Sequence, residues 1–253
     1  RLPPTPLCVS LRRLIATRGP SSAALEVATI RWVDRHCLAA VDAWKRIGLP
    51  ADADVVLLGR VDTPGTEGDA EAELVRECFE RAGATWAAVS TDQQEADALF
   101  QARRLAYPAL ERLGPVLTED VCVPRTAVPE MLARIEKTAA RHDILVANIA
   151  HAGDGNLHPL IITTPGDEAA RARAQLAFEE ILDDAIALGG TVTGEHGVGL
   201  LKMRGMDKEL GSAVLGMHHA VKAALDPHGI LNPGKVLGGD GPTPTGGGVV
   251  PQM

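Results

Sequence analysis

Apolar positions along this chain recur with two periods, and the switches between them predict a succession of helices and strands. From Ser21 to about Ile47, Leu25, Ala28, Trp32, Val33, Cys37 and Val41 lie one, three or four residues apart, the spacing of a helix face. Ser21 or Ser22 can cap its start, and Gly48 with Pro50 ends it. Val55 to Val61 is an apolar run of buried-strand type, and Asp62 to Asp69 is a turn-rich loop. Asp69 to Ala82 reads as an acidic-fronted helix closed by Gly83. Thr85 to Ser90 predicts a strand, and Asp92 to Leu113 a helix that Pro108 kinks or ends. Val116 to Val123 predicts another strand, and Val128 to His142 a helix with Pro129 in its first turn. Two apolar runs, Ile144 to Ala150 and Leu157 to Thr163, flank Asp154-Gly155, a hairpin signal because the turn needs a positive φ that Gly supplies cheaply. Asp167 to Leu188 is an Ala-rich helix, Thr191 to Thr193 a short strand, and Asp207 to Leu225 the last helix.

Residues 1–20 carry Pro and Gly without a period and read as a linker or truncated remnant. Residues 238–253 are rich in Gly, Pro and Thr and read as a disordered tail. That leaves 21–237 as one domain. Strands alternate with helices, yet one strand pair is a hairpin. The expectation is an α+β fold, a mixed or antiparallel sheet with helices packed on one face.

Composition changes this picture little. At 253 residues and 45% hydrophobic, the chain is globular with a sizeable core, and at 3% aromatic that core must be aliphatic. A net charge of −8, with no basic run longer than two, argues against nucleic acid or an anionic membrane as partner. The four cysteines are scattered without a C-x-x-C pair, which fits reduced thiols and a cytoplasmic location. No apolar run reaches membrane-spanning length. No G-x-G-x-x-G, Walker lysine loop or G-x-S-x-G is present.

The chemistry concentrates in two places. His151 and His158 lie symmetrically about Asp154-Gly155; in a two-residue hairpin they are cross-strand partners with Cβ atoms about 5 Å apart, close enough to share a divalent ion. Glu195-His196, between Gly194 and Gly197, offers a third ligand and a base. Two histidines and one carboxylate are the ligand set of open catalytic sites, which can hold a substrate hydroxyl and lower its pKa. Structural alternatives stand beside each reading. The histidines can be ordinary loop residues, and Glu195 can offset a helix dipole. Asp154 and Asn156 suit turn chemistry. Of Arg103 and Arg104, one should be solvated and the other can grip a carboxylate. Lys202, His218 and His219 read as ordinary helix residues.

Three motifs in order carry a resemblance: His-Ala-Gly-Asp-Gly-Asn-Leu-His-Pro from His151, Gly-Gly-Thr-Val-Thr-Gly-Glu-His-Gly-Val-Gly from Gly189, and Leu-Asp-Pro-His-Gly-Ile-Leu-Asn-Pro-Gly-Lys-Val-Leu from Leu225. Leu99 to Arg104 and Glu119 to Pro124 add to it. From about Ala23 to Leu237 the chain resembles the C-terminal half of FAD-linked oxidases of the vanillyl-alcohol-oxidase type. The resemblance is to the branch of glycolate oxidase subunit GlcD, D-lactate dehydrogenase and D-2-hydroxyglutarate dehydrogenase. It implies a substrate (cap) domain with a ferredoxin-like sheet, and FAD bound mostly by an N-terminal domain absent from this sequence. It further implies a divalent metal on His151, His158 and Glu195, zinc first, with manganese or iron as alternatives. His196 matches the active-site base, and Arg103 the arginine that holds the substrate carboxylate. Asn232 and Asn156 are the expected cofactor contacts. Leu160, Phe100, Tyr107 and Thr118 depart from residues common in relatives and bear on the substrate rather than the reaction.

The reaction so implied is oxidation of a D-2-hydroxy acid of glycolate or D-lactate type to the 2-oxo acid. Electrons pass from the flavin to an unspecified acceptor, a quinone, a cytochrome or an electron-transfer flavoprotein, which allows peripheral association with a membrane electron-transport chain. Two other readings stay open: a non-catalytic metal-binding or subunit domain, and a metal-dependent hydrolase using the same ligands.

Overall fold

Trp32 and Val33 are neighbours in sequence and both are buried, so no alternation of apolar and polar marks the strand they belong to. The computed structural model describes residues 27–46, 52–90 and 92–237, in two compact units that divide after Gly194. Where one helix was expected over Ser21–Ile47, the chain forms strand β1 (Val27–Asp34) followed by helix α1 (Arg35–Lys45). β1 pairs antiparallel with β2 (Val55–Val61) on one side and β5 (Leu145–His151) on the other. A central strand is buried on both faces, and the spacing of its apolar residues then imitates a helix. Residues 21–26 and the tail from 238 lie outside the described residues, as does the whole of 1–20.

Asp34 makes the strand-to-helix junction. Its Oδ1 accepts from the Cys37 N–H at 3.0 Å, capping α1, and its Oδ2 accepts from the Asn148 N–H of β5 at 2.6 Å. An N-cap of this kind contributes about 1 kcal/mol. Burial pushes the Asp34 carboxyl above its usual range, more than these hydrogen bonds pull it down.

Helix α2 (Gly65–Arg81) starts four residues earlier than its acidic front suggested. The expected strand at Thr85–Ser90 is irregular chain. Helix α3 (Gln93–Glu111) runs through Pro108 rather than ending there. The expected strand Val116–Val123 is two short ones, β3 (Val116–Thr118) and β4 (Val121–Cys122), interrupted by Glu119-Asp120. Helix α4 (Val128–His142) has the expected bounds, with Pro in its first turn. β5 and β6 (Asn156–Ile162) form the hairpin, and α5 (Glu168–Ala187) follows with Asp167 as its N-cap.

The sheet is antiparallel in the order β2-β1-β5-β6-β3, with β4 also on β6, and the fold is α+β. Val33, Ala147, Ile149, Leu160 and Ile162 form one core face with α1 and α3, contributed by Cys37, Val41, Ala106, Ala109 and Leu110. Val146, Ala150, Leu157 and Ile161, on the other face of the same strands, are buried too. Helices α4 and α5 pack on each other and against β5 and β6. Each fully buried aliphatic side chain contributes about 1.5–3 kcal/mol.

Of the expected strand Thr191–Thr193, only a bridge between Thr191 and Cys122 is present. In the second unit, the expected helix Asp207–Leu225 is two, α6 (Met203–Glu209) and α7 (Ser212–Leu225), broken at Leu210-Gly211. Among the described residues, no helix is long and apolar enough to cross a membrane.

Candidate active site

The hairpin differs in register from the two-residue turn. His151 pairs with Asn156 and Ile149 with His158, so four residues, Ala152 to Gly155, make the connection. Gly155 has φ +90°, and a Cβ there would overlap the carbonyl oxygen of Val123. The two histidines are therefore diagonal, not opposite. The shift is one residue in each strand, which preserves the inside-outside parity and leaves both rings on one face. Their rings meet edge to face with centroids 5.2 Å apart. That face is the one whose core residues are Val33, Ile149 and Leu160, so α1 and α3 cover the same side.

Around the rings lie groups that sequence reasoning left without a role. Asp120, in the break between β3 and β4, is fully buried, and its Oδ1 is 3.6 Å from His158 Nδ1. The same oxygen accepts from Asn156 Nδ2 at 2.7 Å. Its other oxygen accepts from Thr193 Oγ1 and from the Gly194 N–H, each at 3.0 Å. One carboxylate thus joins β6 to the segment that leads into Glu195. Gly194 is required there, because a Cβ would collide with the Asn156 side chain. On the other side, Arg31 of β1 stands opposite His151 and brings Nη1 to 2.6 Å from Nε2. The Glu119-Asp120 dipeptide, two acids inside an apolar run, was the available signal for Asp120. For Arg31 there was none, because its partner is 120 residues away.

The other candidate residues fall in different places. Arg103 is half-buried on α3, one turn before Ala106 of the core, and its charge reaches the Cys37 thiol. Asn156 is buried and its amide is engaged with Asp120; its Oδ1 has no hydrogen-bond partner among the described residues. In the second unit, Glu195 and His196 are about half-exposed, with Glu195 Oε1 3.9 Å from His196 Nε2. Asn232 is exposed in the turn after α7 with φ +48°. That turn is held by Asp226, whose carboxylate accepts from Lys222 Nζ at 2.6 Å and from the N–H groups of Ile230 and Leu231.

Two imidazoles on one face, one of them backed by a carboxylate, fit the donor set of a divalent ion. No Gly-rich cradle for a pyrophosphate is present in the sequence.

Residues 15–236 match the family of FAD linked oxidases, C-terminal domain. Over 214 residues the chain is 39% identical to glycolate oxidase subunit GlcD of Bacillus subtilis, covering 84% of this chain and 46% of that protein. Over 142 residues it is 38% identical to the mitochondrial D-lactate dehydrogenase [cytochrome] of Arabidopsis thaliana, 55% of this chain and 25% of that one. The chain thus spans less than half the length of these curated relatives. In fold it is similar to p-cresol methylhydroxylase, at TM-score 0.63 and 16% identity, over 92% of this chain and 50% of that one. The 4-ethylphenol oxidase of Gulosibacter chungangensis is comparable, at TM-score 0.62 and 14% identity, over 92% of this chain and 51% of that one. With three ordered motifs, an α+β sheet and a family match over nearly its whole length, the chain belongs to the C-terminal domain family of FAD-linked oxidases.

Proposed function

We propose that this chain is the substrate-binding part of a FAD-linked dehydrogenase that converts a small D-2-hydroxy acid, of glycolate or D-lactate type, into the 2-oxo acid. The observation that carries the reading is the His151–His158 ring pair, backed by the buried Asp120, in a chain related to a glycolate oxidase subunit and a D-lactate dehydrogenase. His151, His158 and Glu195 would hold a divalent ion, zinc first, whose Lewis acidity makes the substrate hydroxyl easier to ionise. Bound FAD, held mainly by a further domain and touched here by Asn232, supplies the acceptor for the α-hydrogen with its electron pair.

The chain's own residues do the rest. The Asp120 carboxylate beside His158 Nδ1 favours a proton on that nitrogen and leaves the Nε2 lone pair for a ligand. Arg103 orients the substrate carboxylate with its planar fork. His196 takes the hydroxyl proton.

Titration with Co²⁺ tests this reading without any flavin. The expected result is uptake of one ion per chain, with visible bands that shift on addition of glycolate or D-lactate, and loss of both in His158→Ala. Absence of stoichiometric uptake, or uptake unchanged by that substitution, overturns the metal reading. In a protein that includes the FAD-binding domain, His196→Ala should slow flavin reduction by about 10²–10⁴-fold. Reduction at the wild-type rate removes His196 as the base.

A further inference from the structure

Arg31 Nη1 lies 2.6 Å from His151 Nε2, between residues paired across β1 and β5. A guanidinium carries donors only, so Nε2 of His151 supplies its lone pair to this bond. A neutral imidazole has one such pair. A side chain that is always positive therefore holds the nitrogen lone pair that a divalent ion would need on that ring. An ion on the histidines would break this bond and leave two positive groups side by side, which weakens the hold on the ion until an anion joins them. A carboxylate answers both. It has lone pairs enough to accept a bidentate guanidinium and still meet Arg103, on the helix that covers the same face of the sheet.

We propose that Arg31 is a specificity residue for the carboxylate of the substrate, and that ion and acid bind in order. With an ion held on the lone pair of His151, the guanidinium would be released from Nε2 and would take the carboxylate. Because coupling between two ligands is reciprocal, the acid also tightens the ion. This rests on the metal reading above, and it predicts selection for hydroxy acids over uncharged hydroxy compounds of the same size.

Calorimetric titration of the chain with Zn²⁺, alone and with glycolate or ethylene glycol, tests it. In the wild type, glycolate should tighten Zn²⁺ at least about tenfold and ethylene glycol should not, tenfold being the scale of one charge-assisted hydrogen bond. Arg31→Ala should bind Zn²⁺ alone as well as wild type or up to about tenfold tighter, with the glycolate effect below about threefold. Arg31→Gln, which keeps the aliphatic stem, should behave like Arg31→Ala, and Arg31→Lys should recover part of the glycolate effect. A merely structural arginine moves both affinities in the same direction, and that result overturns the proposal. So does a full glycolate effect in Arg31→Gln. A wild type that takes up no Zn²⁺, or takes it up equally as His151→Ala, overturns the metal reading itself. Uptake that needs His151 but ignores Arg31 overturns this proposal alone.

Discussion

The hairpin and helix α7 put apolar and polar residues to opposite uses. In β6 all seven residues are buried, including His158 and Asn156. In α7 none of fourteen is buried, although Val214, Met217, Val221 and Leu225 form a stripe along it. Apolar content alone does not decide burial; coverage by a neighbouring element does. Where coverage is complete, as around Asp120, a lost hydrogen-bond partner is expensive. Along α7, where no such coverage is seen among the described residues, a substitution changes little.

That contrast can be broken most directly at Asp120. Asn156, Thr193 and Gly194 all donate to its carboxylate, so Asp120→Ala should lower stability by about 3 kcal/mol or more in a urea titration, at roughly 1–3 kcal/mol for each buried group left unpaired. Gly194→Ala comes next. Its methyl group meets the Asn156 amide, and the displacement should cost about 1–3 kcal/mol by the same measurement.

A smaller effect is expected between α4 and α5, where Glu180 is partly exposed. Burial pushes its carboxyl up, but hydrogen bonds from His142, Thr138 and Arg141 outweigh this and hold it below its ordinary 4.5. The unfolded chain then binds the proton more readily than the folded one. The stabilisation is present above pH 4.5 and is lost as pH falls through the lowered folded value. Glu180→Gln should flatten the acid limb of the stability profile by no more than about 1 kcal/mol, a bound set by solvent screening. The smallest effect belongs to α7: Val221→Ser should leave stability within about 0.5 kcal/mol.

What could be read from the sequence follows the same division. The bounds of α4, and those of α5 to within a residue, were legible because each has one apolar face and a clear start, Pro129 in one and the Asp167 cap in the other. β1 was not, because burial on both faces erased its alternation. The hairpin was visible but its register was not: Asp154-Gly155 suits a tight turn, and the longer loop is set by Gly155 fitting under the Val123 carbonyl. The facing of His151 and His158 survived that error because it depends only on parity. Arg31 and Asp120 became neighbours of those rings through pairings between distant segments, which no local pattern encodes.

The place of Asp120 in the chain has a consequence for synthesis. Its acceptor oxygens are satisfied by Asn156, Thr193 and Gly194, all of which leave the ribosome later than it does. Until Gly194 has emerged, the interior around His158 contains a charge with part of its compensation missing, so the sheet cannot mature strand by strand. A nascent chain halted at 190 should stay open to protease around 116–123, and one halted some residues beyond 194 should close.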